Sequence, residues 1–130
     1  MKCVFCEVVS GKENATIIAE DQSCLAIVPK DVEVDNHLLI LSKSHAESLL
    51  DVSPEILSDT SFFVQKVCKA LSEEYGYTGF NVLHASGSNA GQSVSHFHLH
   101  IIPRRNGDNI DAWPIFQGGK SNLSKLRLST

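Results

Sequence analysis

The chain has 130 residues, of which 42% are apolar and 20% are charged, and its net charge is −4. These values fit one soluble domain with its own hydrophobic core, which we place at residues 1–130. The negative charge excludes a general electrostatic attraction to nucleic acid or to an anionic membrane. Apolar runs are far shorter than the ~20 residues of a membrane span, and the N-terminus, MKCVFCEVVSG, lacks the apolar core of a signal peptide. We therefore expect a cytoplasmic protein with no membrane or nucleic-acid partner.

The first third of the chain is expected to form an antiparallel meander of three strands. Apolar segments at Ala15–Glu20, Cys24–Val28 and His37–Leu41 are separated by polar, turn-forming residues. Asn36 immediately precedes the third segment and tolerates a positive φ better than most residues do. We therefore expect a turn to lead into the third strand.

One long helix is expected in the middle of the chain. Ser53 suits the N-cap, Pro54 the first helical position, and Gly76 a left-handed C-terminal stop. A shorter helix is expected around Glu47–Leu50. Spacing near 3.6 residues predicts one buried helical face, formed by Ile56, Phe63, Val67 and Leu71.

The last two strands are expected to flank a loop of small residues. Phe80–His84 is predicted as the fourth strand, and the fifth runs from Val94 or Ser95 to Ile102, with Pro103 ending it. The sequence ASGSNAGQS lies between them. Strands, then a helix, then further strands predict an α+β fold with a largely antiparallel sheet.

Every second residue of the fifth predicted strand, from 96 to 100, is a histidine. Alternate residues of a strand share a face, so His96, His98 and His100 should lie side by side. Burying three imidazoles without a function costs desolvation and hydrogen bonds, which favours a functional face. This face can either ligate a catalytic metal or supply one nucleophilic imidazole. The small-residue loop suits an anion such as phosphate, and no Asp or Glu occurs between Glu74 and Arg105, so we favour the nucleophile.

The segment GQSVSHFHLHII resembles the motif of the histidine triad (HIT) family, in which three histidines alternate with apolar residues after Gly-Gln-Ser/Thr-Val. The resemblance extends from CVFCEVVSG through HLLILSKSH and GFNVL to HIIPR. It implies the HIT-like fold, a five-stranded antiparallel sheet with one long helix, usually in a homodimer. It also implies hydrolysis or transfer at the α-phosphate of a nucleotide.

The resemblance assigns roles to individual residues. The nucleophile of the family matches His98, which would form a labile nucleotidyl-histidine intermediate without any catalytic cofactor. His37 matches a fourth histidine, and Ser93 matches a hydroxyl that serves the phosphate or the leaving group. The catalytic candidates are therefore His98, His96, His100, His37 and Ser93, and the nucleotide-binding candidates are Gly91, Gln92, Ser93, Val94 and Asp31.

A second candidate site lies at the N-terminus. Cys3 and Cys6 have the C-x-x-C spacing that lets two thiolates reach one metal ion. Family members of the bacterial type with this pair hold a structural zinc through two Cys and two His, and the matching histidines here are His45 and His96. The resemblance therefore implies a Cys₂His₂ zinc site. Cys24 and Cys68 lie in apolar stretches and are expected to pack in the core.

The chain departs from the family pattern on the nucleoside side. The family commonly has Asp or Asn eight residues before the fourth histidine, where it bonds the ribose hydroxyls, but this position is Pro29. Asp31 is the nearest carboxylate. Ala85-Ser86-Gly87 stands where Asn-Asn-Gly is usual. These departures favour one alternative to a nucleotide hydrolase or transferase, a nucleotide-binding scaffold with little turnover. A second alternative is a hydrolase that uses the three clustered histidines as metal ligands.

Overall fold

The computed structural model describes residues 2–129 and shows an α+β fold built on a five-stranded antiparallel sheet. A short helix and a long helix accompany the sheet, so the predicted fold class is confirmed. The helices are α1 (Val4–Ser10) and α2 (Pro54–Tyr75), and the strands are β1 (Ile17–Glu20), β2 (Cys24–Ile27), β3 (Leu38–Ser42), β4 (Gly79–Leu83) and β5 (His98–Arg104). Neither helix is apolar enough over a sufficient length to cross a bilayer within these described residues.

The order of strands in the sheet puts the histidine-rich strand between two neighbours. The strands follow the order β1-β2-β3-β5-β4, so the meander of the first three strands is confirmed. In the register of β3 and β5, Leu41 lies opposite His98 and Leu39 lies opposite His100. Directly opposed residues of antiparallel strands share a face. The two histidines therefore project from the same face of the sheet as these two leucines.

Helix α2 covers one face of the sheet. The Ser53 hydroxyl accepts a hydrogen bond from the N–H of Ile56, Pro54 opens the helix, and Gly76 ends it at a φ of 74°. These local features were all predicted, because capping residues act within one helical turn. The predicted stripe is buried at Phe63, Val67 and Leu71, which pack with Cys24, Ala26, Leu38, Ile40 and Ile101 of the sheet.

Helix α1 packs against the opposite face. Its residues Phe5 and Val8 form a second cluster of buried residues with Leu25, Ile27, Leu39 and Leu41. All four residues of β2 are buried, because their alternating side chains point to α2 on one face and to α1 on the other. The histidine-bearing face of β5 is therefore the face that α1 covers.

Three predictions of local structure are wrong. The short helix is α1 and not Glu47–Leu50, which forms a turn because the Asp51 carboxylate accepts the N–H groups of Glu47 and Ser48. Strand β5 begins only at His98, since the N–H of Phe97 donates to Ala46 in the preceding loop at 2.7 Å. It also continues through Pro103, which lies opposite Phe80.

Candidate functional site

His98 is held as a neutral imidazole with one ring nitrogen free. Its Nδ1–H donates to the carbonyl oxygen of His96 at 2.6 Å, so the second nitrogen, Nε2, keeps its lone pair. The side chain is 7% exposed, and this burial lowers the pKa of His98 below its usual value despite the hydrogen bond to His96. The edge of the Phe5 ring contacts the imidazole, with the ring centroids 5.1 Å apart. A buried, oriented and unprotonated imidazole has the properties of a nucleophile.

His37 and His100 form a hydrogen-bonded pair beside His98. The Nε2 of His37 and the Nδ1 of His100 are 2.9 Å apart, so a single proton lies between the two rings. Burial, followed by the repulsion that protonated His98 and His37 would exert, lowers the pKa of His100 to about 4. Burial also lowers the pKa of His37. Both rings are therefore neutral at pH 7, and the pair can share one proton without carrying a net charge.

These three histidines line a cavity of about 480 Å³. This volume is in the range of sites that bind small molecules. Asp31, Glu33 and Ser93 contribute polar groups to the cavity, while Pro29 lines it without a side-chain acceptor. The apolar walls are formed by Val4, Phe5, Val8, Ile27, Val28, Leu39 and Val94. The α1 residues in these walls were not assigned to the site from the sequence, because α1 itself was not predicted.

The loop that precedes β5 is held by Gln92. Its side-chain oxygen accepts the N–H of Gly87 at 2.8 Å, and its side-chain nitrogen donates to the carbonyl oxygens of Glu47 and Val94. Gly91 has a φ of 87°, which a residue with a Cβ rarely adopts. Neither Gln92 nor Gly91 is among the residues that line the cavity in the described part of the chain. Their surroundings indicate that they shape the loop, while Ser93 and Val94 reach the cavity.

Cys3, Cys6, His45 and His96 converge on one point. One ligand atom from each lies within 4.8 Å of all the others. The Cys3 sulfur is 3.3 Å from Nδ1 of His96, the Cys6 sulfur is 3.3 Å from Nδ1 of His45, and the two Nδ1 atoms are 3.2 Å apart. Among residues 2–129, no other group of three or more Cys, His, Asp and Glu side chains is close enough for one ion.

The chemistry of this cluster fits a tetrahedral zinc site. Nε2 of His96 donates to the carbonyl oxygen of Ser42 at 2.6 Å, so the lone pair lies on Nδ1, the atom that faces the cysteines. Burial and the neighbouring Cys3 thiol raise the pKa of the Cys6 thiol, whereas a bound dication would favour both thiolates. Two sulfur and two imidazole ligands are a common structural zinc set.

The positions of the three clustered histidines argue against a catalytic metal held by all of them. His96 directs Nδ1 to the cysteines and Nε2 to the carbonyl of Ser42, so both ring nitrogens are engaged outside the cavity. The Nδ1 of His98 is bound to a carbonyl oxygen. The expected common face holds for His98 and His100, whose ring centroids are 5.4 Å apart, but His96 precedes β5 and belongs to the cysteine cluster.

Fold and site together define a small α+β protein with a pair of histidines on a central strand, beside a cavity and a Cys₂His₂ cluster. The HIT domain family model matches residues 10–107, and the chain belongs to this family. The Hit protein of Bacillus subtilis is 33% identical over 102 residues, covering 78% of this chain and 70% of that protein. An adenosine 5′-monophosphoramidase of Schizosaccharomyces pombe is 36% identical, with coverage of 82% and 77%. The crystal structure of a zinc-bound histidine triad family protein from Mycobacterium smegmatis superposes with a TM-score of 0.81 at 36% identity, covering 86% of this chain and 81% of that one.

Proposed function

We propose that this protein is a nucleotide hydrolase or nucleotidyl transferase that acts at an α-phosphate through a nucleotidyl-histidine intermediate on His98. The observation that carries the proposal is the imidazole of His98, which lines the cavity and is fixed through Nδ1–H, so that Nε2 is unprotonated. Nε2 attacks phosphorus, the bond to the leaving group breaks, and water then hydrolyses the phosphorus–nitrogen bond. The Nδ1–H bond to a carbonyl oxygen supports the positive charge that the ring acquires in this step.

We assign supporting roles to the remaining polar residues around His98. His37 donates its Nε2–H to Nδ1 of His100, so the proton of neutral His100 lies on Nε2, where it can donate to the phosphoryl oxygens. The Ser93 hydroxyl, which is exposed and lines the cavity, can donate to the phosphate or to the leaving group.

The cavity has room and apolar surface for the base of a nucleotide substrate. Its apolar walls, which include Phe5, Ile27 and Leu39, can enclose a nucleobase, while the histidines bind the phosphate end. The name of the yeast relative, an adenosine 5′-monophosphoramidase, points to the same substrate class. Since Pro29 offers no side-chain acceptor to the ribose, a binding protein with little turnover is the second candidate function.

We further propose that Cys3, Cys6, His45 and His96 bind one structural zinc ion. The ion would supply a cross-link between the N-terminal segment and the residues that precede β5. The reaction at His98 needs no metal in this scheme, because the nucleophile is generated by burial and by a hydrogen bond.

A direct experiment is to search for the covalent intermediate. The protein is incubated with adenosine 5′-phosphoramidate, quenched, digested and analysed by mass spectrometry for an adenylyl group. We expect the adduct on His98 in the wild-type protein and none on this peptide in His98→Gln, a variant with a similar side-chain volume. Binding of the nucleotide without any adduct or turnover would support the second candidate function instead.

A further inference from the structure

His84 lies directly behind the histidine that we propose as nucleophile. Strand β4 ends at Leu83, which is opposite His100, so the ladder of main-chain hydrogen bonds stops before it reaches His98. The side chain of His84 takes the place of the missing donor, and its Nδ1 lies 2.9 Å from the carbonyl oxygen of His98. Its ring packs against Phe97, with centroids 5.2 Å apart. His84 therefore holds the main chain of His98 just beyond the end of β4, without lining the cavity.

The hydrogen bonds around His84 form a chain in which every donor points from Leu49 towards His98. At one end, the N–H of Leu49 donates to the hydroxyl oxygen of Ser86 at 2.9 Å. The Ser86 hydroxyl is 2.5 Å from Nε2 of His84. At the other end, the carbonyl oxygen of His98 can only accept. Neutral His84 must therefore carry its proton on Nδ1, and the hydroxyl proton of Ser86 points to Nε2.

Ser86 also ties this chain to the turn that supports the loop. Leu49 belongs to the turn at Glu47–Leu50, and the carbonyl oxygen of Glu47 in the same turn accepts from the side chain of Gln92. The turn is thus linked through Ser86 and His84 to the strand that carries His98, and it is bonded directly to Gln92 in the loop that carries Ser93. Neither His84 nor Ser86 lines the cavity in the described part of the chain, so neither is placed to touch a substrate there.

We propose that His84 and Ser86 are positioning residues for His98, an inference that rests on the proposed function. His98 is held at one side-chain atom and one main-chain atom: its Nδ1–H donates to the carbonyl oxygen of His96, and its own carbonyl oxygen accepts from His84. Loss of the second bond removes the contact that holds His98 on the β4 side, although β3 still pairs with it, and leaves a carbonyl oxygen without its partner. Displacement of a reacting atom by about 1 Å can reduce a rate by about 10²-fold. The expected effect is therefore on the chemical step and not on the affinity for the nucleotide.

The first test is the tautomer of His84, which requires no enzymatic activity. Long-range ¹H–¹⁵N spectra distinguish Nδ1–H from Nε2–H imidazoles, and the His84→Gln variant assigns the signal. We expect the Nδ1–H tautomer at about pH 7.5, in contrast to the Nε2–H form that free neutral imidazoles prefer. A predominant Nε2–H tautomer would overturn the proposal, because that form cannot donate to the carbonyl of His98 from Nδ1.

The second test separates kcat from KM. With adenosine 5′-phosphoramidate as substrate, His84→Leu should lower kcat by about 10- to 100-fold and change KM by less than about twofold. His84→Gln should recover most of the rate, since its amide can donate at one end and accept at the other. Ser86→Ala should lower kcat in the same direction, and the exposed helix variant Ser72→Ala is the matched control. If His84→Leu does not fold, Ser86→Ala compared with Ser72→Ala keeps the test decisive.

The outcomes distinguish this inference from the proposed function. If the wild-type protein forms no adenylyl adduct on His98, the proposed function fails. If the adduct forms but His84→Leu and Ser86→Ala form it at the wild-type rate, the positioning role is refuted while the proposed function stands. A variant that raises KM but leaves kcat unchanged would also refute the positioning role.

Discussion

The pKa of His100 predicts how the stability of this protein depends on pH. A histidine whose pKa is about 4 in the folded protein and about 6.5 in the unfolded chain binds more protons in the unfolded chain between these two values. The free energy of unfolding should therefore fall as the pH drops below about 6.5 and level off near about 4. The full contribution corresponds to about 3 kcal/mol, of which about 2 kcal/mol is lost between pH 7.5 and pH 5.

Urea unfolding followed by circular dichroism at about pH 7.5 and pH 5 measures this contribution when wild type is compared with His100→Gln. The glutamine can still accept a hydrogen bond from His37, whose Nε2 lies 2.9 Å from Nδ1 of His100. Acid also protonates the proposed zinc ligands, but both proteins carry the same set, so that effect cancels in the difference. We expect wild type to lose about 2 kcal/mol more than the variant over this range. Equal losses in the two proteins would refute the reasoning.

Four further outcomes are expected. His98→Ala should lower turnover of adenosine 5′-phosphoramidate by at least about 10³ with an unchanged circular dichroism spectrum, and near-normal turnover would exclude it as the nucleophile. Elemental analysis should find about one zinc per chain. Cys3→Ser should remove the zinc and lower the Tm, whereas Cys68→Ser should change neither. Unchanged zinc in Cys3→Ser would contradict the assignment. Because the side chain of Pro29 cannot accept a hydrogen bond from a ribose hydroxyl, 2′-deoxy and ribo substrates should differ by less than about tenfold in kcat/KM. A strong ribose preference that Asp31→Ala abolishes would show that the carboxylate of Asp31 binds the ribose instead. Light scattering should report a homodimer of about twice 14.2 kDa. The reason is that β4 is an edge strand with Val82 45% exposed, and an edge strand can pair with a second copy of the chain. A persistent monomer at micromolar concentration would contradict this prediction.

The parts of the fold that the sequence predicts are those set by neighbouring residues. The two ends of α2 are specified by Ser53 and Gly76, which act within a single turn of helix. The positive φ of Asn36 was likewise expected, and the structure gives it as 60°. Such features need no knowledge of the tertiary structure, so pattern reasoning located them correctly.

The parts that were missed depend on contacts distant in sequence. Helix α1 has only seven residues, is capped by the side chain of Cys3, and is buried through contacts with β2 and β3. A helix of this length has little stability of its own, so its sequence signal is weak. The start of β5 was placed too early for the same reason, because Phe97 bonds to Ala46 and not to the neighbouring strand.

His96 joins the two candidate sites through different parts of one residue. Its side chain lies with the two cysteines and His45, while its carbonyl oxygen holds the Nδ1–H of His98. On the proposed ligand set, a zinc ion has four protein ligands and therefore no open position for a substrate. The same ion would anchor Cys3 and Cys6. Phe5 lies between these two cysteines in the sequence, and its ring contacts the ring of His98. The main chain of His96 and the ring of Phe5 therefore connect the cysteine cluster to His98, and through these contacts a bound ion would help to orient the nucleophile.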